Sequence, residues 1–151
     1  MKTDILEELD SKARQSKQLG RFAEAMTLRQ ELERHQDQIV ADPAERAKNL
    51  NQLAFVAAIG GDPSEAVRAA QKCLSNYMQV PKRRDETLAT YVMMLAYVLA
   101  ESGRFCEAVA YGEEALELFM AIYGKENDFV VSRAKDIQCM RIGEARSYLE
   151  R

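Results

Sequence analysis

Gly20-Arg21-Phe22-Ala23-Glu24-Ala25, Gly61-Asp62-Pro63-Ser64-Glu65-Ala66 and Gly103-Arg104-Phe105-Cys106-Glu107-Ala108 are one phrase written three times in 151 residues. The copies start 41 and 42 residues apart, and each keeps the glycine, the glutamate and the alanine. Self-similarity at a fixed period of this length means one supersecondary unit stacked on itself, not a single closed core. Stacked units present extended surfaces, so the pattern points toward binding before catalysis.

On either side of each glycine the apolar residues recur at helical spacing, and no alternating β-branched run marks a strand. The spacing predicts an all-α chain of seven helices. The first covers about 3–18, with Ile5, Leu6, Leu9 and Ala13 on one face. The second, about 21–40, carries Phe22, Ala25, Met26, Leu28 and Leu32. Asp42 and Asp62 stand where a helix cap belongs, each followed by proline at the first helical position and by an acid, Glu45 or Glu65, near the positive helix end. These open the third and fourth helices, and Gly60-Gly61 between them can close a helix in the left-handed conformation. A fifth helix runs from about 81 or 83 to 102 and a sixth from 104 to 123. Gly124-Lys125-Glu126-Asn127-Asp128 then turns the chain into a seventh that reaches nearly to Arg151.

Connections this short force neighbouring helices antiparallel. Small residues recur where paired helices would cross, Ala54 with Ala66 and Ala96 with Ala108, letting the axes approach to about 8 Å. Phe22 and Phe105 would fill the space between units. No linker interrupts the array, so a single domain is expected over 1–151, with units at about 3–41, 43–80 and 82–124 and a last helix at about 127–150.

Composition narrows the function classes. A net charge of −3 disfavours a nucleic-acid partner, and the densest basic run, Lys82-Arg83-Arg84, is answered at once by Asp85 and Glu86. Three cysteines cannot all pair within the chain, and Cys73, Cys106 and Cys139 lack the spacing of a zinc site. Reduced thiols, an acidic N-terminal stretch and the lack of an 18-residue apolar run lead to an expected cytoplasmic protein without a membrane span. His35, the only histidine, lies in the polar run Glu33-Arg34-His35-Gln36-Asp37. No phosphate loop, nucleophile elbow or HExxH pair occurs, so no catalytic residue, cofactor or metal is expected. Cys73 takes a packing position. Cys106, just inside a helix start that favours a thiolate, leaves a redox role open.

The phrase and its surroundings resemble the tetratricopeptide repeat. The fullest copy is Val92, Leu95-Ala96, Leu99, Gly103, Phe105, Glu107-Ala108 and Ala115-Leu116. A second is Leu50, Leu53-Ala54, Ala57, Gly61, Glu65-Ala66 and Cys73-Leu74, with Pro63 in place of the aromatic, and the first copy is degenerate, with Lys12 where leucine is usual. The 42-residue period and the stretch from Ala47 to Ala54 are similar to the longer-helix variant of kinesin light chains. Asp128 stands where that variant has proline. The resemblance implies a right-handed α–α superhelix of three helix pairs closed by a capping helix. Ala134 and Ile137 of that helix lie in register, whereas Gln138 and Arg141 replace a small and an apolar residue.

In this family the first helix of each pair lines a concave groove that holds a peptide or helix of a partner protein. Carried over, the groove would present Arg14, with Asp10 and Gln18, from the first unit. Lys48, Asn51 and Phe55, with Ala58 and Ile59, would come from the second. The third would add Met93, Met94, Tyr97 and Glu101, with Thr90, and the capping helix Lys135 and Cys139. Phe55, Ile59 and Met93 have packing against neighbouring units as their other reading. The expected function is therefore a non-catalytic adaptor or scaffold. The alternative is a self-associating structural factor, such as a homodimer, that uses its convex face or the exposed apolar residues of the capping helix: Phe129, Val130, Ile142, Tyr148 and Leu149.

Overall fold

The computed structural model describes residues 2–143, side chains from residue 4 onward, and every regular element among them is helical. The helices are α1 Lys2–Gln18, α2 Phe22–Gln38, α3 Pro43–Ile59, α4 Pro63–Tyr77, α5 Asp85–Glu101, α6 Phe105–Tyr123 and α7 Asp128–Arg141. All seven predicted helices are present. Tyr148 and Leu149, and the end expected for the last helix, lie outside the described residues.

The repeated glycine has one local cause in all three places. After α1, α3 and α5 the glycine takes φ of +74°, +86° and +79°, a conformation costly for any residue with a Cβ. The chain then closes each helix with the same bond pair. Gly20 N–H donates to Lys17 O and Arg21 N–H to Ser16 O, and Gly61/Asp62 and Gly103/Arg104 repeat the arrangement. This double closure satisfies carbonyls that the helix end leaves without partners. The predicted caps form as well: Asp42 Oδ1 accepts from Ala44 N–H at 2.8 Å and Asp62 Oδ1 from Glu65 N–H at 3.2 Å. α2 ends by the same route with Val40 at φ +51°, where a β-branched residue is unfavourable.

The chain divides into two compact units, Met1–Val80 and Pro81–Arg151. The division falls in the longest connection, residues 78–84, where proline withholds an N–H and biases the residue before it toward extended backbone. The first unit holds α1–α4, and the second holds α5–α7.

In the first unit Leu50, Leu53, Ala54 and Ala57 of α3 are buried with Ala66, Ala69 and Ala70 of α4. Ala54 and Ala66 are both 0 % exposed, as the close crossing requires. A charged seam ties α2 to α4. Arg68 reaches both Glu33 oxygens at 3.0 and 2.8 Å, and Lys72 bridges Glu33 and Asp37 at 2.7 and 2.8 Å. Burial works to raise the Glu33 pKa, but Arg68 and Lys72 outweigh it and hold the carboxyl below its ordinary range. Networked charges that share a buried carboxylate contribute more than isolated surface pairs.

In the second unit Ala96 and Ala108 are fully buried, and a further small residue matters that the sequence reading passed over. Gly112 of α6 faces both α5 and α7: a Cβ there would lie 2.9 Å from Ile137 Cγ1 and 3.8 Å from Ala96 Cβ. Ile137 is buried at 3 % exposure, as its register required, and Met140 joins it at 0 %. Ala134, expected in register beside it, is instead exposed, which corrects that part of the expected pattern. Gln138 and Arg141 also point outward, where Arg141 pairs with Glu113. The helix face that reads as polar is the solvent face.

Phe22 and Phe105 play equivalent parts in the two units. A Cβ at Gly60, after α3, would lie 3.5 Å from Phe22 Cβ, and one at Gly143, after α7, 3.9 Å from Phe105 Cδ2. Each aromatic thus packs over the glycine that ends the following first helix.

Gly112→Val should destabilise the second unit by about 1–3 kcal/mol, because the added methyls meet a buried isoleucine that cannot swing clear. Adding Ile137→Ala should recover part of the loss, as a double-mutant cycle in urea unfolding would measure. Equal and additive losses would show that the two positions do not touch.

Candidate functional site

α2 sets the floor of the most developed hollow. Its buried stripe is Ala25, Arg29, Leu32 and Gln36, one face of a helix in which two of four positions are polar. α1 and α3 flank that stripe and run in the same direction, since each is antiparallel to α2. Between them lies a trough of about 520 Å³, wholly within the first unit. One wall is α1, with Asp10, Arg14 and Lys17, and the other is α3, with Glu45, Lys48 and Gln52.

Arg29, 3 % exposed, is the fixed point of the floor. Its guanidinium donates to Asp10 Oδ1 at 2.6 Å and to Asn49 Oδ1 at 3.2 Å, while Asn49 Nδ2 donates back to the Arg29 carbonyl at 3.1 Å. The three residues join α1, α2 and α3 by polar contacts where apolar packing would be usual. Asp10 also accepts from Arg14 at 2.5 Å. Burial acts to raise the Asp10 pKa, yet the two arginines prevail and keep it below the usual aspartate value.

Lys17 crosses to α3, donating to Gln52 Oε1 at 3.3 Å with its ammonium 4.4 Å from the Phe55 ring centroid. Burial first, and then the charge of Arg29, push its pKa down. No carboxylate pairs with Lys17 or Lys48 among the described residues. Gln36, 6 % exposed, lines the trough, and its buried side-chain oxygen accepts no hydrogen bond among the described residues. A buried carbonyl left unpaired costs about 1–3 kcal/mol, so it is a group waiting for a donor.

The sequence-predicted residues divide between the units. Arg14 and Lys48 stand on opposite walls of the trough, with Asp10 and Gln18 beside them. Asn51 and Phe55 are half-buried on α3, and Asn51 Oδ1 is buried without a partner. On α5, Met94 and Glu101 are half-buried. Met93 and Tyr97 are 3 % and 7 % exposed, and the Tyr97 hydroxyl donates to the buried Asp136 of α7 at 2.7 Å. Both pack as core. Sequence reasoning missed Arg29, Gln36 and Asn49. The available sign was a polar residue inside an otherwise apolar helical stripe.

A smaller hollow of about 340 Å³ in the second unit is aromatic. Phe119 and Phe129 meet edge to face at 4.9 Å between centroids, and Tyr123 flanks both. Cys73 is buried, donates from Sγ to Ala47 O at 3.2 Å and has its pKa pushed up by burial to about 12. Cys106 is exposed on the first turn of α6. Among the described residues no three His, Cys, Asp or Glu side chains are placed to hold a metal, and no helix is long and apolar enough to cross a membrane. Compared with known proteins, the chain matches no family model and none of the curated proteins.

Asp10→Asn should cost about 1–2 kcal/mol at pH 7, less than for a fully buried pair because Asp10 is partly solvated. Since the folded pKa of Asp10 is depressed, its contribution is complete above the unfolded value of about 3.9 and fades as pH falls through the folded value. Urea unfolding of wild type and variant should therefore converge as pH falls below the ordinary aspartate range. A gap that stays constant with pH would exclude the ionised Asp10 as its source.

Proposed function

We propose that this chain is a non-catalytic protein-interaction module of the tetratricopeptide type, in the longer kinesin-light-chain-like variant, with its helix pairs wound into a right-handed superhelix. Its ligand is a peptide or helix of a partner protein, held against the first helices of the pairs. The observation that carries the reading is the trough itself. It is walled by α1 and α3, the helices that line the groove in that family, and its floor holds a buried carbonyl with no donor. The thrice-repeated glycine closure and the buried alanines at the crossings support the repeat.

A peptide offers what such a trough lacks. Its backbone N–H groups can donate to an amide oxygen such as that of Gln36, a lining residue, without demanding a sequence. Arg14, Lys48 and Gln52 would orient it from the walls. Binding would be modest, since a short, partly open groove recovers little beyond the cost of ordering an extended ligand.

The test is capture of partner proteins from host-cell lysate by the intact chain and by an Arg14→Ala/Lys48→Ala/Gln52→Ala variant. These residues are exposed or half-buried, so the melting curve should hold while capture falls at least about tenfold. Retention of every captured protein by a folded triple variant would defeat the groove reading.

One observation favours self-association as a second reading. Phe129 and Val131 of α7, Tyr123 of α6 and Ile142 just after α7 are 42 %, 39 %, 41 % and 68 % exposed. Val130, expected to join them, is buried at 2 %. Tyr123 and Phe129 meet beside the α6–α7 turn and Ile142 follows the far end of α7, and exposed apolar side chains such as these are candidates for coverage by a second copy. Light scattering from micromolar to millimolar chain should show a rising mass if this surface pairs, and Ile142→Lys should abolish the rise. A constant monomer mass would rule that reading out.

A further inference from the structure

The trough is charged in a particular order. At the level of the first turns, Glu7 of α1 and Glu45 of α3 have no cationic partner among the described residues. Further along, Asp10 is shared between Arg14 and Arg29, so one carboxylate faces two guanidiniums. Beyond it Lys17 holds only an amide and a ring. Four acids and four bases line the hollow in all, which excludes a polyanion as its occupant. The arrangement is a dipole along the groove, acidic toward the N-terminal ends of α1 and α3 and basic toward the α1 C-terminal end, with Lys48 one turn beyond Glu45 on α3.

The floor adds an independent acceptor. Gln36 lies on α2 near the acidic end, where Ala41 N–H already occupies its backbone carbonyl. Its side-chain oxygen, buried and without a partner among the described residues, is free to accept from a ligand that settles onto the floor. A backbone amide of an extended chain, running between the two charged ends, supplies the donor.

Resting on the reading of the trough as a peptide groove, we propose that it selects an extended segment of mixed charge. A basic side chain lies between Glu7 and Glu45, an acidic side chain lies toward Arg14 and Lys17, and a backbone N–H between them donates to Gln36. From Glu7 to Arg14 or Lys17 the helix advances about 10–15 Å at 1.5 Å per residue. An extended peptide covers that in three or four residues at about 3.3 Å each. The acid recognised is a side chain, since the ligand continues past both ends of a groove that is open to solvent.

The experiment is NMR titration of the isotope-labelled full chain with four octapeptides, acetylated and amidated so that no terminal charge remains. In a Ser/Val background they carry Lys and Glu four residues apart, the same pair reversed, two Lys, or two Glu. At least one mixed-charge order should shift the amides around Glu7, Lys17, Glu45 and Lys48 and bind about fivefold or more tighter than either like-charged peptide. Lys17→Glu, which makes both ends acidic, should transfer the preference to the two-Lys peptide. Gln36→Leu should melt no lower than wild type, because an unpaired carbonyl is removed, while losing about threefold or more in affinity. Equal binding of all four peptides in the trough would overturn the charge selection and leave the groove standing. Absence of trough shifts with every peptide would overturn both. An unchanged affinity for Gln36→Leu would overturn the floor contact.

Discussion

Two helices approach closely only where the side chains between their backbones are small, and every other feature of this chain is arranged around that constraint. Ala54 with Ala66 and Ala96 with Ala108 meet it at full burial. With axes drawn together at those points, longer residues one turn away interlock, and the connecting turns must be short. The glycine closures supply the short turns. Alanine at the crossing and glycine in the turn are therefore two halves of one requirement, which is why the sequence repeats them together.

Positions 83 residues apart show how one scaffold is made open in one unit and closed in the other. The phrase itself moves from Gly20 to Gly103 at this spacing, and Arg29 then corresponds to Gly112, Arg14 to Tyr97 and Gln36 to Phe119. In the first unit these positions are polar, and they leave an open trough whose floor is held by Arg29, Asp10 and Asn49. In the second they are small or aromatic. Gly112 admits Ile137, Tyr97 bonds Asp136 across from α5 to α7, and Phe119 stacks into the aromatic cluster. A buried salt-bridged arginine adds little net stability over apolar packing. Its retention in the first unit alone is what keeps that hollow from collapsing onto its own side chains.

The fold was legible because its determinants are local. Asp42-Pro43, Asp62-Pro63 and the three glycines act within a turn or two of themselves, and both caps and all three closures form as read. The site was less legible because burial is decided across helices. Tyr97 and Met93 occupy the helix face that corresponds to Arg14 and Asp10, but both are buried, Tyr97 with its hydroxyl on Asp136 of α7. Arg29 and Gln36 look like ordinary solvated residues until their spacing to Ala25 and Leu32 is noticed. The exposure of Ala134 has the same origin: which side of α7 faces inward depends on what it meets, such as the Gly112 that Ile137 packs against, and not on α7 itself.

That dependence bears on how such a trough can change its ligand. The floor is fixed by contacts among three helices, so substitution at Arg29 or Asn49 disturbs α1, α2 and α3 together. The wall residues Glu7, Glu45 and Lys48, unlike Lys17 with its contacts to Gln52 and Phe55, carry charges that no structural partner needs among the described residues. They can vary with little cost to folding, because isolated solvated charges contribute little to stability. Recognition and stability are thus assigned to different residues of the same hollow. The scaffold holds through its small crossings and its buried arginine, while the order of charges along the walls is free to follow the partner.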